Sequence, residues 1–228
     1  MRFAIACKNI IFWDVLSKYS KNVIDNCIIQ IHSPEQLSLD TIKRHNIDVL
    51  FFPHWSWMVS RDILNEVCCV CFHSAPVPYG RGGSPIQNMV LSGHQETEVV
   101  AIKMIEELDA GPVYLREPIS LLGGGEEIVL RIYQAIAKLI DKMSVQLPEP
   151  IPQNGEIYSF KRRTPADSAL PTSAEIKYLF DKIRILDIEN YPPAYIEYGD
   201  FRLEFTRPSL RFSDEIEATV KIKKIKGT

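Results

Sequence analysis

Short runs of apolar and β-branched residues recur along the first half of the chain. The strand-like runs occupy residues 2–7, 26–32, 48–53 and 69–72. Helix-compatible segments at residues 10–20 and 37–46 separate them, and a helix after Pro85 and a strand at 98–105 continue the pattern. Alternation of this kind is typical of a parallel sheet wound by crossover helices. The sequence therefore predicts an α/β fold, with a Rossmann-like, mostly parallel sheet and flanking helices.

The second half begins with a long amphipathic helix over residues 126–147. Its apolar positions recur with helical spacing on one stripe: Ile128, Ile132, Ile136, Leu139, Ile140, Met143 and Leu147. A proline-punctuated linker with Pro148, Pro150 and Pro152 follows the helix. We predict a main domain over residues 1–150, an extended linker arm over residues 151–172 and a small C-terminal subdomain over residues 173–228.

The C-terminal subdomain has an α+β pattern. Thr172 and Glu175 have the spacing of a capping box ahead of an amphipathic helix that runs to Asp187. A hairpin that turns near Gly199 comes next, and residues 217–225 supply a last strand. An exposed hairpin of this kind offers a surface for a homodimer.

Composition narrows the class of protein. Of the 228 residues, 46% are hydrophobic and 24% are charged, and the formal net charge is −3. These values exclude a disordered chain and do not indicate a nucleic-acid-binding surface. The N-terminus lacks a signal-peptide pattern, and no apolar run approaches the length that crosses a bilayer. We therefore expect a cytoplasmic protein without a membrane or nucleic-acid partner.

The cysteines fit packed, reduced thiols better than disulfides or a metal site. Five are present, an odd number in apolar strand-like segments. The sharper alternative is a metal site built from Cys69, Cys71 and His73. A strand spreads these three residues over about 13 Å, which is too extended for one tetrahedral ion. We therefore expect no metal.

Glycine-rich segments do not indicate a nucleotide cofactor. The run at residues 123–125 lacks the lysine of a phosphate-binding loop, and two carboxylates follow it. No GxGxxG pattern follows the first strand. A flexible turn leading into the long helix explains the run better.

Two segments carry residues suited to chemistry. The stretch CVCFHSAPVPYGRGGSP at residues 69–85 is an apolar strand that ends in His73 and opens into a proline- and glycine-rich loop. The segment IEELDAGPV at residues 105–113 places Asp109 and Gly111 after another strand. Loops at the carboxyl ends of strands are where α/β sheets bind ligands. A lone His at a strand end is more often structural, and Asp-x-Gly is also ordinary turn chemistry.

Together these segments resemble the folate-dependent formyltransferases. The family pattern is Asn-x-His, then a Leu-Pro-x-x-Arg-Gly loop, then Asp-x-Gly. The matching letters here are CFH at residues 71–73, VPYGRGGSP at 77–85, SGHQET at 92–97 and LDAGPV at 108–113. The segment FKRRTPADS at 160–168 and the subdomain after it resemble the amino-sugar N-formyltransferases. Within that branch, the GRGGSP loop at 80–85 and the compact tail resemble the N-formyltransferases of pseudaminic-acid pathways.

The resemblance implies an activity and an acid/base pair. A formyl group would pass from 10-formyltetrahydrofolate, as co-substrate, to the primary amine of a nucleotide-linked amino sugar of the UDP-4-amino-4,6-dideoxy-altrose type. The attacking amine must lose a proton, and a histidine oriented by a carboxylate suits that task. His73 and Asp109 match the family positions for these roles.

Cys71 departs from the family pattern, because it stands where the family has asparagine. A thiol is a weak hydrogen-bond donor, so the oxyanion of the reaction needs another donor. Protonated His73, a backbone N–H of the loop or an ordered water are the candidates. A covalent role for Cys71 as a thiolate is the chemical alternative that we rank lower.

The resemblance also implies two sets of binding residues. For the folate they are Phe52, Pro53, His54, Trp55, Trp57 and Leu108. For the sugar nucleotide they are Tyr79, Arg81, Gly82, Gly83, Lys161 and Arg163. Guanidinium groups match phosphate well, although ordinary solvated charge is an equal alternative for the basic run at 161–163.

Three other functions stay open. A methionyl-tRNA formyltransferase-like enzyme is disfavoured because that branch is expected to continue into a larger basic domain, whereas this chain has 228 residues and a slightly acidic balance. A 10-formyltetrahydrofolate hydrolase would use water in place of the amine. A catalytically lapsed folate- or nucleotide-binding domain would explain Cys71.

Overall fold

A computed structural model describes residues 1–225, without the side chains of residues 21 and 22, and divides them into two compact units. The first unit comprises Met1–Gly82, Thr97–Ile119 and Leu130–Ser159. The second comprises Gly83–Glu96, Ser120–Val129 and the chain from Phe160 onward. The domain limits proposed from the sequence, at residues 150 and 172, stay a prediction.

The elements follow the predicted alternation through the first half of the chain. The strands are β1 (Phe3–Ala6), β2 (Cys27–Ile31), β3 (Val49–Phe52), β4 (Cys68–His73), β5 (Tyr79–Gly82), β6 (Glu96–Lys103), β7 (Val113–Ser120), β8 (Tyr158–Phe160), β9 (Ala194–Tyr198), β10 (Phe201–Phe212) and β11 (Glu215–Lys224). The helices are α1 (Ile10–Tyr19), α2 (Lys21–Asn26), α3 (Leu39–Arg44), α4 (Arg61–Glu66), α5 (Pro85–Leu91), α6 (Gly125–Val145) and α7 (Ile176–Leu186).

The main sheet has six strands in the order β2-β1-β3-β4-β6-β7. The pairs β1–β2, β1–β3 and β3–β4 are parallel, and β4 pairs antiparallel with β6. Every residue of β1 and β3 is buried, as expected for strands covered on both faces. The predicted α/β class with a mostly parallel sheet is confirmed.

Two loops leave this sheet beside β4, one next to its end and one next to its start. Phe52, the last residue of β3, is paired with Cys71, so the loop after β3 begins next to the end of β4. The loop over residues 104–111 begins where the Met104 amide donates to the carbonyl of Cys69. It ends at Gly111, where a Cβ atom would lie 1.8 Å from the Lys103 carbonyl oxygen, so only glycine fits there.

The long helix is present as α6, and most of its predicted stripe is buried. The fully buried positions are Ile128, Ile132, Ile136, Leu139, Ile140 and Met143. Leu147 lies beyond the end of the helix at Val145 and is only partly buried. Glu126 and Glu127 occupy the first turn, where the helix dipole favours negative charge.

The second unit packs α5 against α7 and α7 against an antiparallel sheet of order β11-β10-β9. The small C-terminal subdomain predicted from the sequence is thus present. The predicted capping box at Thr172 and Glu175 is wrong, because α7 begins at Ile176 and no side chain caps it. Residues 172–175 are exposed and have no apolar stripe to pack, so the helix starts only where such a stripe begins.

The capping box lies instead within the predicted extended arm. There the Asp167 carboxylate accepts from the Thr164 amide at 2.6 Å, at the start of a 3₁₀ turn over Pro165–Ser168.

Across the described residues, no helix is long and apolar enough to cross a bilayer.

Candidate active site

A cavity of about 490 Å³ opens in the first unit beside the end of β4. Among the residues predicted from the sequence, it is lined by Phe52, His54, Trp55, Trp57, Cys71, His73, Leu108 and Asp109. These residues come from β3, β4 and the two loops that leave the sheet beside them. The fold therefore brings the His73 and Asp109 segments to one concave site.

His73 ends β4 and is buried, with 7% of its surface exposed. Its Nε2 atom lies 2.7 Å from the carbonyl oxygen of Gly80. A carbonyl only accepts, so the proton of a neutral His73 must be on Nε2. This contact leaves Nδ1 directed at Asp109, whose Oδ2 lies 3.5 Å away.

Asp109 is held by its backbone and by its carboxylate. Its φ of 55° is a left-handed conformation that Asp adopts more readily than most residues. Its Oδ2 accepts the Gly82 amide at 3.0 Å, which ties the loop over residues 104–111 to β5. Asp109 can therefore serve as a turn residue and also lie beside His73.

Gln153 supports the Asp109 loop and was not singled out from the sequence. Its Nε2 donates to the carbonyl oxygens of Asp109 at 2.7 Å and of Gly111 at 2.8 Å. Its Oε1 accepts from Arg81 Nε at 3.0 Å and Nη2 at 2.9 Å. A lone Gln in a proline-rich linker gives no sequence signal, because its partners lie more than forty positions away.

Arg81 is engaged within the first unit. Besides its bonds to Gln153, its Nη1 lies 3.2 Å from Glu107 Oε1. The side chain therefore braces the loop that contains Asp109. Its predicted role as a phosphate ligand stays a prediction.

The His73–Asp109 pair has the arrangement of an acid/base site. Nδ1 of His73 and Oδ2 of Asp109 are both largely buried and both line the same cavity. The unprotonated Nδ1 and the carboxylate can share one added proton, and the charged imidazolium would be stabilised by the adjacent carboxylate. The separation of 3.5 Å is that of a loose contact, as is common in ligand-free sites.

Cys71 lies two residues before His73 and lines the same cavity. Removal from water, together with the nearby Asp109 charge, raises the pKa of its thiol to about 12. The thiol is therefore protonated near neutral pH. Because the thiolate is the nucleophilic form, this environment disfavours the covalent route considered from the sequence.

The loop after β3 contributes two buried nitrogens that the protein leaves without a partner. In the described chain, His54 Nε2 and Trp55 Nε1 are buried and make no hydrogen bond. Burial lowers the pKa of His54 to about 4, so its ring is neutral near pH 7. Both residues line the cavity, whereas Pro53 is buried and does not. Buried polar atoms without partners are rare, so these two suit a bound ligand.

Large apolar side chains stand exposed around the mouth of the cavity. Met58 and Leu108 are 87% and 70% exposed, and Trp57 and Ile105 also reach the surface. All four line the cavity. Neither Met58 nor Ile105 was predicted, because exposure is a tertiary property that a single loop residue does not encode. The rim favours a flat, partly apolar ligand.

The other residues predicted to bind substrate do not line this cavity. Tyr79 stacks on Tyr158, with ring centroids 5.1 Å apart, and Gly82 holds the Asp109 carboxylate. Gly83, Lys161 and Arg163 belong to the second unit. There Lys161 is exposed, and Arg163 Nη2 donates to the Asp167 carbonyl at 2.6 Å. Their roles stay predictions.

Across residues 1–225, no three His, Cys, Asp or Glu side chains group as metal ligands would.

Comparison with known sequences gives one consistent family. The family model described as "Methionyl-tRNA formyltransferase, C-terminal domain" matches residues 165–223. The methionyl-tRNA formyltransferase of Sulfurihydrogenibium sp. (strain YO3AOP1) is 26% identical over 186 residues, which cover 75% of this chain and 59% of that protein. The chain spans between 42% and 64% of the length of the first curated relatives that it matches.

Solved structures agree with this result. A methionyl-tRNA formyltransferase from Clostridium thermocellum is 33% identical with a TM-score of 0.87, and the match covers 98% of this chain and 99% of that one. HypX from Aquifex aeolicus, in complex with tetrahydrofolic acid, has a TM-score of 0.76 at 13% identity and covers 91% and 38%. A sugar N-formyltransferase from Shewanella sp FDAARGOS_354 has a TM-score of 0.68 at 14% identity and covers 94% and 98%. The last two likenesses show a shared fold.

Proposed function

Since the chain belongs to the formyltransferase superfamily, we propose that it transfers a formyl group from 10-formyltetrahydrofolate to a primary amine. The observation that carries this proposal is the His73–Asp109 pair in the wall of the cavity, with Nδ1 and Oδ2 3.5 Å apart. An amine that becomes an amide must lose a proton, and this pair is placed to take it.

The cavity suits the ring system of a folate. The unpartnered His54 Nε2 and Trp55 Nε1 offer hydrogen bonds to a heteroaromatic ring, and Trp57 and Leu108 offer apolar walls. His54, held neutral by burial, can donate or accept. The bound folate would supply the formyl group itself, and the protein would supply its orientation and the proton transfer.

His73 and Asp109 divide the proton work. The Gly80 carbonyl fixes Nε2–H, so Nδ1 is the nitrogen that is free to gain a proton. The Gly80 carbonyl keeps the ring in this orientation, and Asp109 stabilises the ring once Nδ1 is protonated. In the charged state the imidazolium also becomes a donor near Cys71, which lies two positions away on the strand and lines the same cavity.

For the acceptor, we propose a nucleotide-linked amino sugar, with the UDP-4-amino-4,6-dideoxy-altrose type as the first to test. The formal net charge is −3, and residues 173–228 contain ten Lys and Arg against ten Asp and Glu. A balanced surface of this kind lacks the field that a large polyanion needs but does not hinder a small nucleotide. The fold shared with a sugar N-formyltransferase supports the same choice.

Methionyl-tRNA is the second candidate acceptor. It is favoured by the match to a methionyl-tRNA formyltransferase at 33% identity over nearly the whole chain and by the family model over residues 165–223. Both candidates present a primary amine, so the same acid/base pair serves either one.

One assay separates these functions. The purified chain is incubated with 10-formyltetrahydrofolate and, separately, with UDP- and dTDP-linked amino sugars, with methionyl-tRNA and with no acceptor. We expect mass spectrometry to show one formyl group added to an amino sugar. Formyl-methionyl-tRNA would replace the sugar proposal with the second candidate. Formate without an acceptor would indicate a hydrolase, and no product with any acceptor would contradict formyl transfer.

Replacing Cys71 with alanine is expected to leave the rate of formyl transfer within about threefold of the original. The thiol is protonated near neutral pH because its pKa is raised to about 12, so it contributes no nucleophile. Steady-state kinetics of the C71A variant check this, with C27A as the matched control, since Cys27 lies on β2 and does not line the cavity. A C71A variant that is inactive but correctly folded would revive the covalent route.

A further inference from the structure

The C-terminal sheet has one partly covered edge and one open edge. At the β9 edge, the Leu170 amide donates to the Tyr195 carbonyl at 2.7 Å, which occupies part of that edge. At the other edge, no strand of the described chain pairs with the outer side of β11. An open edge strand of ten residues is a surface for pairing with another strand.

The direction of the backbone groups on β11 follows from the hairpin. Ile225 donates its amide to the Asp200 carbonyl at 2.8 Å, and Thr219 pairs with Thr206 in the same register. Hydrogen-bonded pairs alternate along an antiparallel ladder, so the odd-numbered residues of β11 from Thr219 to Lys223 bond to β10. Beyond Thr219 the register shifts twice, with the extra residues in β10, and Glu217 and Glu215 are the β11 residues that pair. The even-numbered residues, among them Val220 and Ile222, therefore direct their N–H and C=O groups outward.

The side chains of β11 separate by face and by sign. The even positions are apolar from residue 216 to 222, with Ile222 66% exposed. The odd positions read Glu215, Glu217, Thr219, Lys221 and Lys223. Acidic residues thus occupy one end of the strand and basic residues the other, with Thr219 between them. Lysines on an edge strand usually prevent pairing, but this separation of charge makes the strand complementary to itself when reversed.

We propose that β11 pairs antiparallel with β11 of a second copy, centred on Thr219, so that two three-stranded sheets join into one across a two-fold axis. This register places Glu217 opposite Lys221 and Glu215 opposite Lys223, twice each by symmetry. On the other face it places Ile216 opposite Ile222. A shift of the centre by one residue in either direction loses half of these ion pairs.

Two of the four charged side chains needed for the contact are uncommitted, meaning that they form no ion pair within the described part of one chain. Among the described residues, Glu215 and Lys221 form no ion pair, while Glu217 lies 3.2 Å from Arg211 and Lys223 lies 2.6 Å from Glu204. Each new pair therefore joins one uncommitted charge to one that already has a partner. The apolar face gains as well, since Ile222 would pack against Ile216 of the second copy.

Engineered cysteines test the register in the full chain. Thr219 would face its own copy in a non-hydrogen-bonded pair, where Cα atoms are about 4.5 Å apart, within reach of a disulfide. We expect oxidised T219C to run as a covalent dimer on non-reducing gels. K221C is the matched control on the same face, because its two copies would be about 13 Å apart. A mixture of E217C and K221C should cross-link, although neither alone does.

Charge reversal gives an independent measure. Replacing Glu217 with lysine sets like charges opposite each other at two symmetric places, so the dimer dissociation constant should rise at least about tenfold. The double variant E217K/K221E should restore it. Analytical ultracentrifugation measures the dissociation constants of both variants, with the unmodified chain as the reference for its oligomeric state. The unmodified chain also serves as the control for cross-linking through the five native cysteines.

Three results would overturn the proposal. One is a chain that remains monomeric at about 100 μM, above the Kd expected for a specific interface, which would leave the edge to a different protein. Another is a dimer in which K221C cross-links to itself and T219C does not, which would indicate another register or a face-to-face contact. The third is a dimer that E217K leaves unchanged. None of these readouts depends on the proposed enzymatic activity.

Discussion

Replacing His73 with asparagine is expected to lower kcat for formyl transfer by about a thousandfold, which corresponds to about 4 kcal/mol of transition-state stabilisation. Asparagine is shorter than histidine, and its amide does not reach the Gly80 carbonyl, which His73 Nε2 contacts at 2.7 Å. It cannot accept a proton at the position of Nδ1, so the amine would lose its proton to water. The measurement is steady-state kinetics with the acceptor that the product assay identifies.

The KM for folate in this variant should change little, because His73 is expected to act on the amine rather than to hold the ring system. His94, which is exposed and does not line the cavity, supplies the matched control as H94N. Thermal unfolding should show both variants folded. A folded H73N variant with near-normal kcat would exclude His73 as the base.

Replacing Asp109 with asparagine is expected to lower kcat by about a hundredfold to a thousandfold, with little loss of stability. Asparagine tolerates the φ of 55° at this position, and its side-chain oxygen can still accept the Gly82 amide. Only the negative charge beside His73 Nδ1, 3.5 Å away, is removed. The variant therefore separates the carboxylate's charge from its role in the loop.

A comparison of variants sharpens this test. D62N, at an exposed position of α4 that does not line the cavity, also removes one carboxylate and should retain full activity. The double variant H73N/D109N should be scarcely slower than H73N, because residues that act as a unit are not additive. Fully additive losses would show that Asp109 acts independently of His73, and normal kcat in folded D109N would remove it from the mechanism.

The helices and strands could be predicted from the sequence because burial gives each kind of element its own spacing of apolar residues. The apolar runs that became β1 and β3 are buried on both faces, and six of the seven stripe positions of α6 are fully buried. The start of α7 was predicted wrongly because a Thr and a Glu three positions apart also occur in segments where they do not cap a helix. Whether such a pair caps a helix depends on what packs after it, which local letters do not fix.

The residues of the candidate site could be predicted from the sequence only in part. The His73 and Asp109 segments stood out because strand-end His and Asp-x-Gly are compact local signals. Gln153, which bridges Arg81 to the backbone of Asp109, has no local signal of its own. The protonated state of Cys71 was also out of reach, since it depends on burial and on the charge of Asp109.

By itself, the sequence determined the class of fold, the kinds of element along the chain and the residue types available for proton transfer. The tertiary structure decided how they meet. His73 and Asp109 are 36 positions apart. They become neighbours because β6 runs antiparallel to β4, and the loop after β6 returns from Cys69 to the end of β4. Periodicity records which side chains are buried, but strand order and loop paths depend on pairing between distant segments, and that pairing sets the site.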